Sequence, residues 1–196
     1  MVVDGGSRDG TMEVARKVPG VVALASARGR AIQMNAGARA AQGPILLFLH
    51  ADTRLPDGAL EAVQGVLAGP AVVGGRFDVR FDSPRPVLSM IAFFMNLRSR
   101  RSGISTGDQA IFVRRDVFES LGGYAEIPLM EDVELTRRLK RRGRVVALRS
   151  RVTTAARKWQ QEGALRTMVL MWALRFLYMW GVAPARLHRW YYHRDP

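Results

Sequence analysis

Short apolar runs alternate with segments whose apolar positions recur every three or four residues, from the amino terminus to about residue 150. Val2-Val3 ends in Asp4-Gly5-Gly6-Ser7, a strand running into a turn, and Ser7 or Asp9 is placed to cap a helix reaching about Lys17. Val21 to Leu24 reads as a strand and Gly29 to Gln42 as a helix with small residues on one face. Ile45 to Leu49 is continuously apolar, as in a strand covered on both faces. His50 to Pro56 forms a loop, Asp57 caps a helix to about Ala68, and Val72 to Val79 is the next strand. Ser83 to Arg101 is apolar and helical, and Ser105 to Asp108 is a loop. Gln109 to Val113 is a strand, and Arg115 to Leu121 is a short helix stopped by Gly122-Gly123. Met130 to Arg142 is helical up to Gly143, and Val145 to Leu148 is a final strand. The alternation predicts an α/β fold, a mostly parallel sheet flanked by helices, with ligands beyond the carboxyl ends of its strands.

Composition narrows the chemistry. The 196 residues, 48% hydrophobic and 24% charged, suit a globular domain that needs no disulfide or structural metal to hold its core. With no cysteine, thiolate zinc sites, iron–sulfur clusters and cysteine nucleophiles are excluded. The net charge of +13 is unevenly placed: residues 1–135 carry 15 basic and 15 acidic side chains, residues 136–196 carry 15 and 2. The amino terminus does not read as a secretory signal, so the expected location is cytoplasmic. Arg166 and Arg175 interrupt the apolar segment Leu165 to Ala183, which argues against a span of roughly 20 apolar residues and for a packed or interfacial helix.

Three constellations can carry chemistry, and each has a plainer reading. The glycine-rich turn Asp4 to Thr11 lets the backbone approach a ligand and offers helix N–H groups to an anion, or simply closes a tight turn. The apolar strand before His50-Ala51-Asp52 delivers a histidine and a carboxylate to a loop. Asp52 there suits a hard divalent ion on a diphosphate, or caps the following turn. Glu131-Asp132 opens a helix otherwise rich in arginine: a pair favoured by the helix dipole, or a general base aimed into a cleft.

In this order the blocks resemble family 2 glycosyltransferases of the GT-A fold: Val2 to Thr11, Arg28-Gly29-Arg30-Ala31 with Gln33 to Gly37, His50-Ala51-Asp52, and Glu131-Asp132. The likeness spans about residues 2–160, and Gly29 to Gly37 with Thr106 to Glu134 are similar to a bacterial subgroup associated with arsenosugar biosynthesis. It implies a catalytic domain over 1–160 and an amphipathic helical extension over 161–196. It also implies that Asp4, Gly6 and Ser7 face the base and ribose, that Arg28, Arg30, Asn35 and His50 line the nucleotide side, that Asp52 holds Mg²⁺ or Mn²⁺, and that Asp132, beside Glu131, is the base. The implied reaction moves a sugar from a nucleoside diphosphate to an acceptor hydroxyl with inversion. Gly107, Asp108, Gln109 and Trp159 are candidates on the acceptor or sugar side, Gly107 to Gln109 being equally readable as a loop-closing turn.

The chain departs from the family pattern at Gly5, which replaces a second acidic residue, and at His50, which replaces the first aspartate of the metal motif. The family's first strand and helix have no counterpart before Val2. The expectation is therefore an unpaired strand edge and a chain that is poorly soluble or inactive. The basic, aromatic tail adds a further expectation: peripheral contact of residues 157–194 with the inner face of the membrane, toward a lipid-linked acceptor, against packing on the catalytic domain or on another subunit. The alternatives are a nucleic-acid-binding module, disfavoured because the basic cluster is confined to the tail, and nucleotidyl transfer on a related scaffold.

Overall fold

The computed structural model describes residues 1–192. A small parallel pair comes first, β1 (Val2–Asp4) beside β2 (Ala23–Ala25), carrying helices α1 (Thr11–Lys17) and α2 (Arg30–Ala40). The main sheet follows, formed by β3 (Ile45–Phe48), β4 (Thr53–Arg54), β5 (Val72–Phe81), β6 (Ile111–Arg114) and β7 (Arg144–Thr154) in the order β3-β6-β5-β7-β4. Helices α3 (Ala59–Leu67), α4 (Pro86–Ser102), α5 (Arg115–Ser120) and α6 (Glu131–Leu139) cover it, and α7 (Arg157–Gln161), α8 (Ala164–Met179) and α9 (Pro184–Tyr192) end the described chain. Residues 193–196, the end of the extension and of the proposed membrane-contact segment, lie outside the described residues.

The α/β class holds, but the sheet is mixed rather than mostly parallel: β5 pairs with β7 in parallel, whereas β6 runs antiparallel to β3 and β5, and β4 antiparallel to β7. The cause lies in α4. It folds back along the distal half of β5, where Asn96 bonds both backbone groups of Val79, so the chain re-enters at mid-sheet and must run toward the start of β5. Room for this entry is made by Gly74 and Gly75; a Cβ at Gly75 would sit 2.5 Å from the Phe112 ring and from the Val146 carbonyl. β7 also continues past the expected Leu148, since Val152 and Thr154 face inward while Arg149 and Arg151 face water, an alternation more polar than the strand before it.

Two cores flank the sheet. Phe77, Phe112, Val152, Leu88 and Ile91 pack under α3 and α4, and Leu46, Val113, Phe118, Leu135 and Leu139 under α2, α5 and α6. Through α4 runs a buried polar network in which Arg76, 1% exposed, meets Asp78, and Asp78 accepts a 2.6 Å bond from Arg100. A third cluster, Leu129, Met130, Val133, Leu174 and Leu187, seats α8 and α9 on α6. The extension is not uniformly amphipathic: α8 carries apolar side chains on its packed and its solvent faces alike. Among the described strands, β1 pairs only with β2 and β3 only with β6, and a groove of about 730 Å³ runs between the two sheets along Val2, Val3, Leu46 and Phe48.

Candidate active site

Sheet end, turn and helix start meet at one pocket of about 250 Å³, whose walls include His50, Asp52, Gly107, Asp108 and Asp132. His50 and Asp52 follow β3, which is not covered on both faces as expected but is an edge strand with only Leu46 fully buried, and their loop is tied to β7 by the Ala155 amide, which donates to the Asp52 carbonyl at 3.0 Å. A hydroxyl contact between Thr53 and Thr154 at 3.1 Å adds to the tie. From the other side, Met130 adopts φ 72°, a left-handed conformation uncommon outside glycine, and turns the chain sharply into α6. Asp132 then lies in the first helical turn. Its Oδ1 accepts from the Val133 amide at 2.7 Å and its Oδ2 from the Gly107 amide at 2.8 Å, so the carboxylate is held in one orientation.

The charges around it are coupled. His50 Nδ1 lies 3.2 Å from Asp108 Oδ1, and Nε2 is buried without a partner. Burial opposes the imidazolium, but the hydrogen bond and charge of Asp108 outweigh it and raise the His50 pKa. Glu131, 2% exposed, pairs with Arg30 Nε at 3.0 Å. Its pKa is raised, first by burial and then by the neighbouring Asp132, with Arg30 opposing both. Arg98 has two guanidinium nitrogens buried without a partner, and burial beside Arg175 brings its pKa down to about 9.

Several expected site residues take other duties. Asp4 closes its own turn by accepting from the amides of Gly6 and Ser7 at 3.0 and 2.9 Å and from the Ser7 hydroxyl, which together lower its pKa. Gly6 supplies a φ of 93°, and Arg28 lies exposed beyond β2. Asn35, expected along the nucleotide side, is buried instead: its amide group donates to the Tyr124 carbonyl and accepts from the Tyr124 amide, both at 2.9 Å. Gln109 is fully buried and closes the turn Gly107–Gln109: its Oε1 accepts from the Thr106 amide at 3.3 Å and its own backbone amide donates to the Thr106 carbonyl at 2.9 Å, so for this residue the loop-closing reading prevails. Trp159 lines the pocket while packing on Phe81 at 5.3 Å between ring centroids. Sequence reasoning missed Arg175, Lys158 and Trp172 as pocket residues. An arginine inside an otherwise apolar helix was the available signal for the first.

Among the described residues, no three His, Asp or Glu side chains form a ready cage for a metal. Asp52 is exposed toward the pocket, whereas His50 and Asp108 engage each other. That donor set suits a hard divalent ion held by one carboxylate, with phosphate oxygens and water completing its shell.

Residues 1–122 match the family model described as glycosyl transferase family 2. The chain is 29% identical over 136 residues to the glycosyltransferase AglE of Haloferax volcanii, a match covering 63% of this chain and 44% of that protein. Its fold superposes on the mannosyltransferase PcManGT of Pyrobaculum calidifontis, solved with GDP-Man and Mn²⁺, with a TM-score of 0.67 and 22% identity over 94% of this chain and 56% of the other. A second likeness is to TarS residues 1–349 of S. aureus, solved with UDP-GlcNAc: TM-score 0.60, 14% identity, 79% of this chain and 48% of that one. The chain thus spans about half the length of the relatives it matches, and the likenesses identify the fold as GT-A.

Proposed function

Because this chain belongs to glycosyl transferase family 2, we propose that it transfers a sugar from a nucleoside diphosphate to an acceptor hydroxyl, with inversion at the anomeric carbon. One observation carries the reading: Asp52 and Asp132, from distant parts of the chain, line the same pocket.

Asp132 acts as the general base. Two amide N–H groups fix its carboxylate, so the oxygen that takes the acceptor's proton does not reorient during the reaction. The acceptor oxygen bonds to the anomeric carbon as the bond to the diphosphate breaks on the opposite face, and the nucleoside diphosphate departs. Glu131 is a positioning residue, since its paired carboxylate holds Arg30 at the pocket wall. Arg30 and Arg175 bring positive charge to the walls where an anionic donor is seated. Asp52, with donor phosphate oxygens, would hold Mg²⁺ or Mn²⁺, which supplies neutralisation of the diphosphate charge when bound. The donors named in the likenesses, GDP-Man and UDP-GlcNAc, support a nucleotide-sugar donor here. The turn at Asp4, Gly6 and Ser7 stands at the carboxyl end of β1, and in this reading it would face the base and ribose of the donor.

The test is hydrolysis or transfer from a panel of nucleotide sugars with Mg²⁺, Mn²⁺ or chelator, in the wild type, Asp52→Asn and Asp132→Asn. Metal-dependent turnover lost in both variants supports the assignment; turnover untouched by either substitution overturns it.

A further inference from the structure

Helix α8 has the wrong outer face for a solvated helix. Leu165, Val169, Trp172, Phe176, Met179 and Trp180 fall on one side at helical spacing, and each is at least half exposed. The packed side is apolar as well, with Leu174 buried in the cluster that holds α8 on α6. On α4, which packs against α8, Met90, Phe93 and Phe94 are exposed too. Contiguous apolar surface of this kind marks a docking site.

Charge selects the occupant. Between Glu162 and Asp195 there is no carboxylate, while Arg166, Arg175, Arg186 and Arg189 are all present. An apolar stripe carrying Trp172 and Trp180, on a helix that also exposes Arg166, matches the water–lipid boundary of an anionic bilayer, where the apolar face enters the acyl region and cations meet lipid phosphates.

The same stripe reaches the pocket. Phe94 and Trp172 are exposed and also line it, and Arg175, less than a turn beyond Trp172, brings a cation to its wall. No described helix is long and apolar enough to cross a membrane, so contact through this face is lateral. Resting on the glycosyl-transfer reading above, we infer that the α4/α8 face lies on an anionic bilayer and that the acceptor is a lipid with a phosphate-bearing, hydroxylated head group. The head group enters between Phe94 and Trp172, its phosphate at Arg175 and its hydroxyl toward Asp132, while the acyl chains stay in the membrane. The hydroxyl oxygen bonds to the anomeric carbon, its proton passes to Asp132 and the nucleoside diphosphate leaves.

The chain is sedimented with vesicles of phosphatidylcholine alone or with about 30% phosphatidylglycerol. The expected result is at least a ~10-fold rise in the bound fraction with anionic lipid, abolished in a Phe176→Glu/Trp180→Glu double variant that keeps the wild-type melting temperature. Transfer to phosphatidylglycerol in those vesicles is compared with transfer to a neutral glycolipid, and Arg175→Gln is expected to raise the KM for phosphatidylglycerol about 10-fold or more. Binding indifferent to anionic lipid or to the double substitution overturns the inference. So does a dimer in light scattering that the double variant dissociates, because the face is then covered by a second copy. Donor hydrolysis in solution separates the two readings: if it persists while vesicles are ignored, only the lipid inference fails, and if it is absent in every condition, the transfer reading fails.

Discussion

The backbone amide of Gly107 donates to Asp132 Oδ2 at 2.8 Å and ties the turn after α4 to the first turn of α6. The same glycine also abuts His50, because a Cβ on it would lie 2.3 Å from Nε2. Gly107→Ala therefore has to push away the imidazole, the turn, or both. Overpacking of this kind costs about 1–3 kcal/mol. The expected outcome is a lowered melting temperature with a fall in turnover of ~10-fold or more, read by calorimetry and a donor-hydrolysis assay.

Asp132 and Glu131 are adjacent but differently employed, one facing the pocket and the other buried against Arg30. Asp132→Asn is expected to reduce kcat by about 10²–10⁴-fold, the usual contribution of a positioned base. Its melting temperature should stay near that of the wild type. Glu131→Gln weakens an ion pair whose arginine remains half in water, so a loss of about 1 kcal/mol in denaturant unfolding is expected, with turnover falling less than ~10-fold. Equal kinetic losses in the two variants would contradict this division of roles.

Asn35 satisfies both backbone groups of Tyr124. Asn35→Ala strands a buried donor and a buried acceptor, at about 1–3 kcal/mol each. Chemical denaturation should show a midpoint shift of that size, while the KM for the nucleotide sugar is unchanged. A selective rise in KM without loss of stability would return Asn35 to the nucleotide site.

At the first turn the proton linkage has a definite sign. The Asp4 carboxyl is held below its ordinary 3.8, chiefly by the Ser7 hydroxyl and then by the Ser7 amide. Its contribution to stability is present above pH 3.8 and is lost as the pH falls through the lower folded value. In Ser7→Ala, carboxyl NMR titration should show the Asp4 pKa moving up toward 3.8, and the stability gap from the wild type should narrow in acid. An unmoved titration curve would mean that Ser7 does not set it.

Within the sheet, Asp78 accepts from both Arg76 and Arg100. Asp78→Ala leaves Arg76, 1% exposed, without its counter-charge, and removal of one partner from a buried pair costs about 3–5 kcal/mol. Expression of insoluble protein, or a unimodal melt shifted down by more than ~10 °C, is the expected result.

Much of this was readable in the residues themselves. The apolar run from Ile45 became β3 as far as Phe48, though at the sheet's edge and not covered on both faces, the acidic pair at Glu131 opened α6, and the glycines at Gly122-Gly123 stopped α5. Such features are local, set by side-chain period, dipole and left-handed backbone, and the sequence carries them directly. Strand direction is not local. Whether β6 runs with or against β5 depends on how far α4 travels back before the chain re-enters the sheet, and no residue pattern within β6 encodes that distance.

Residue identity alone thus determined the α/β alternation, the concentration of positive charge beyond residue 135, and the two acidic positions offered for chemistry. Only tertiary structure decided which polar side chains reach the pocket: it sent Asn35 and Gln109 into the interior and turned Arg175 toward the site from a helix otherwise read as apolar. The reason is physical. A side chain's partners are fixed by packing between elements far apart in the chain, where unmet buried hydrogen bonds cost more than any local preference can return.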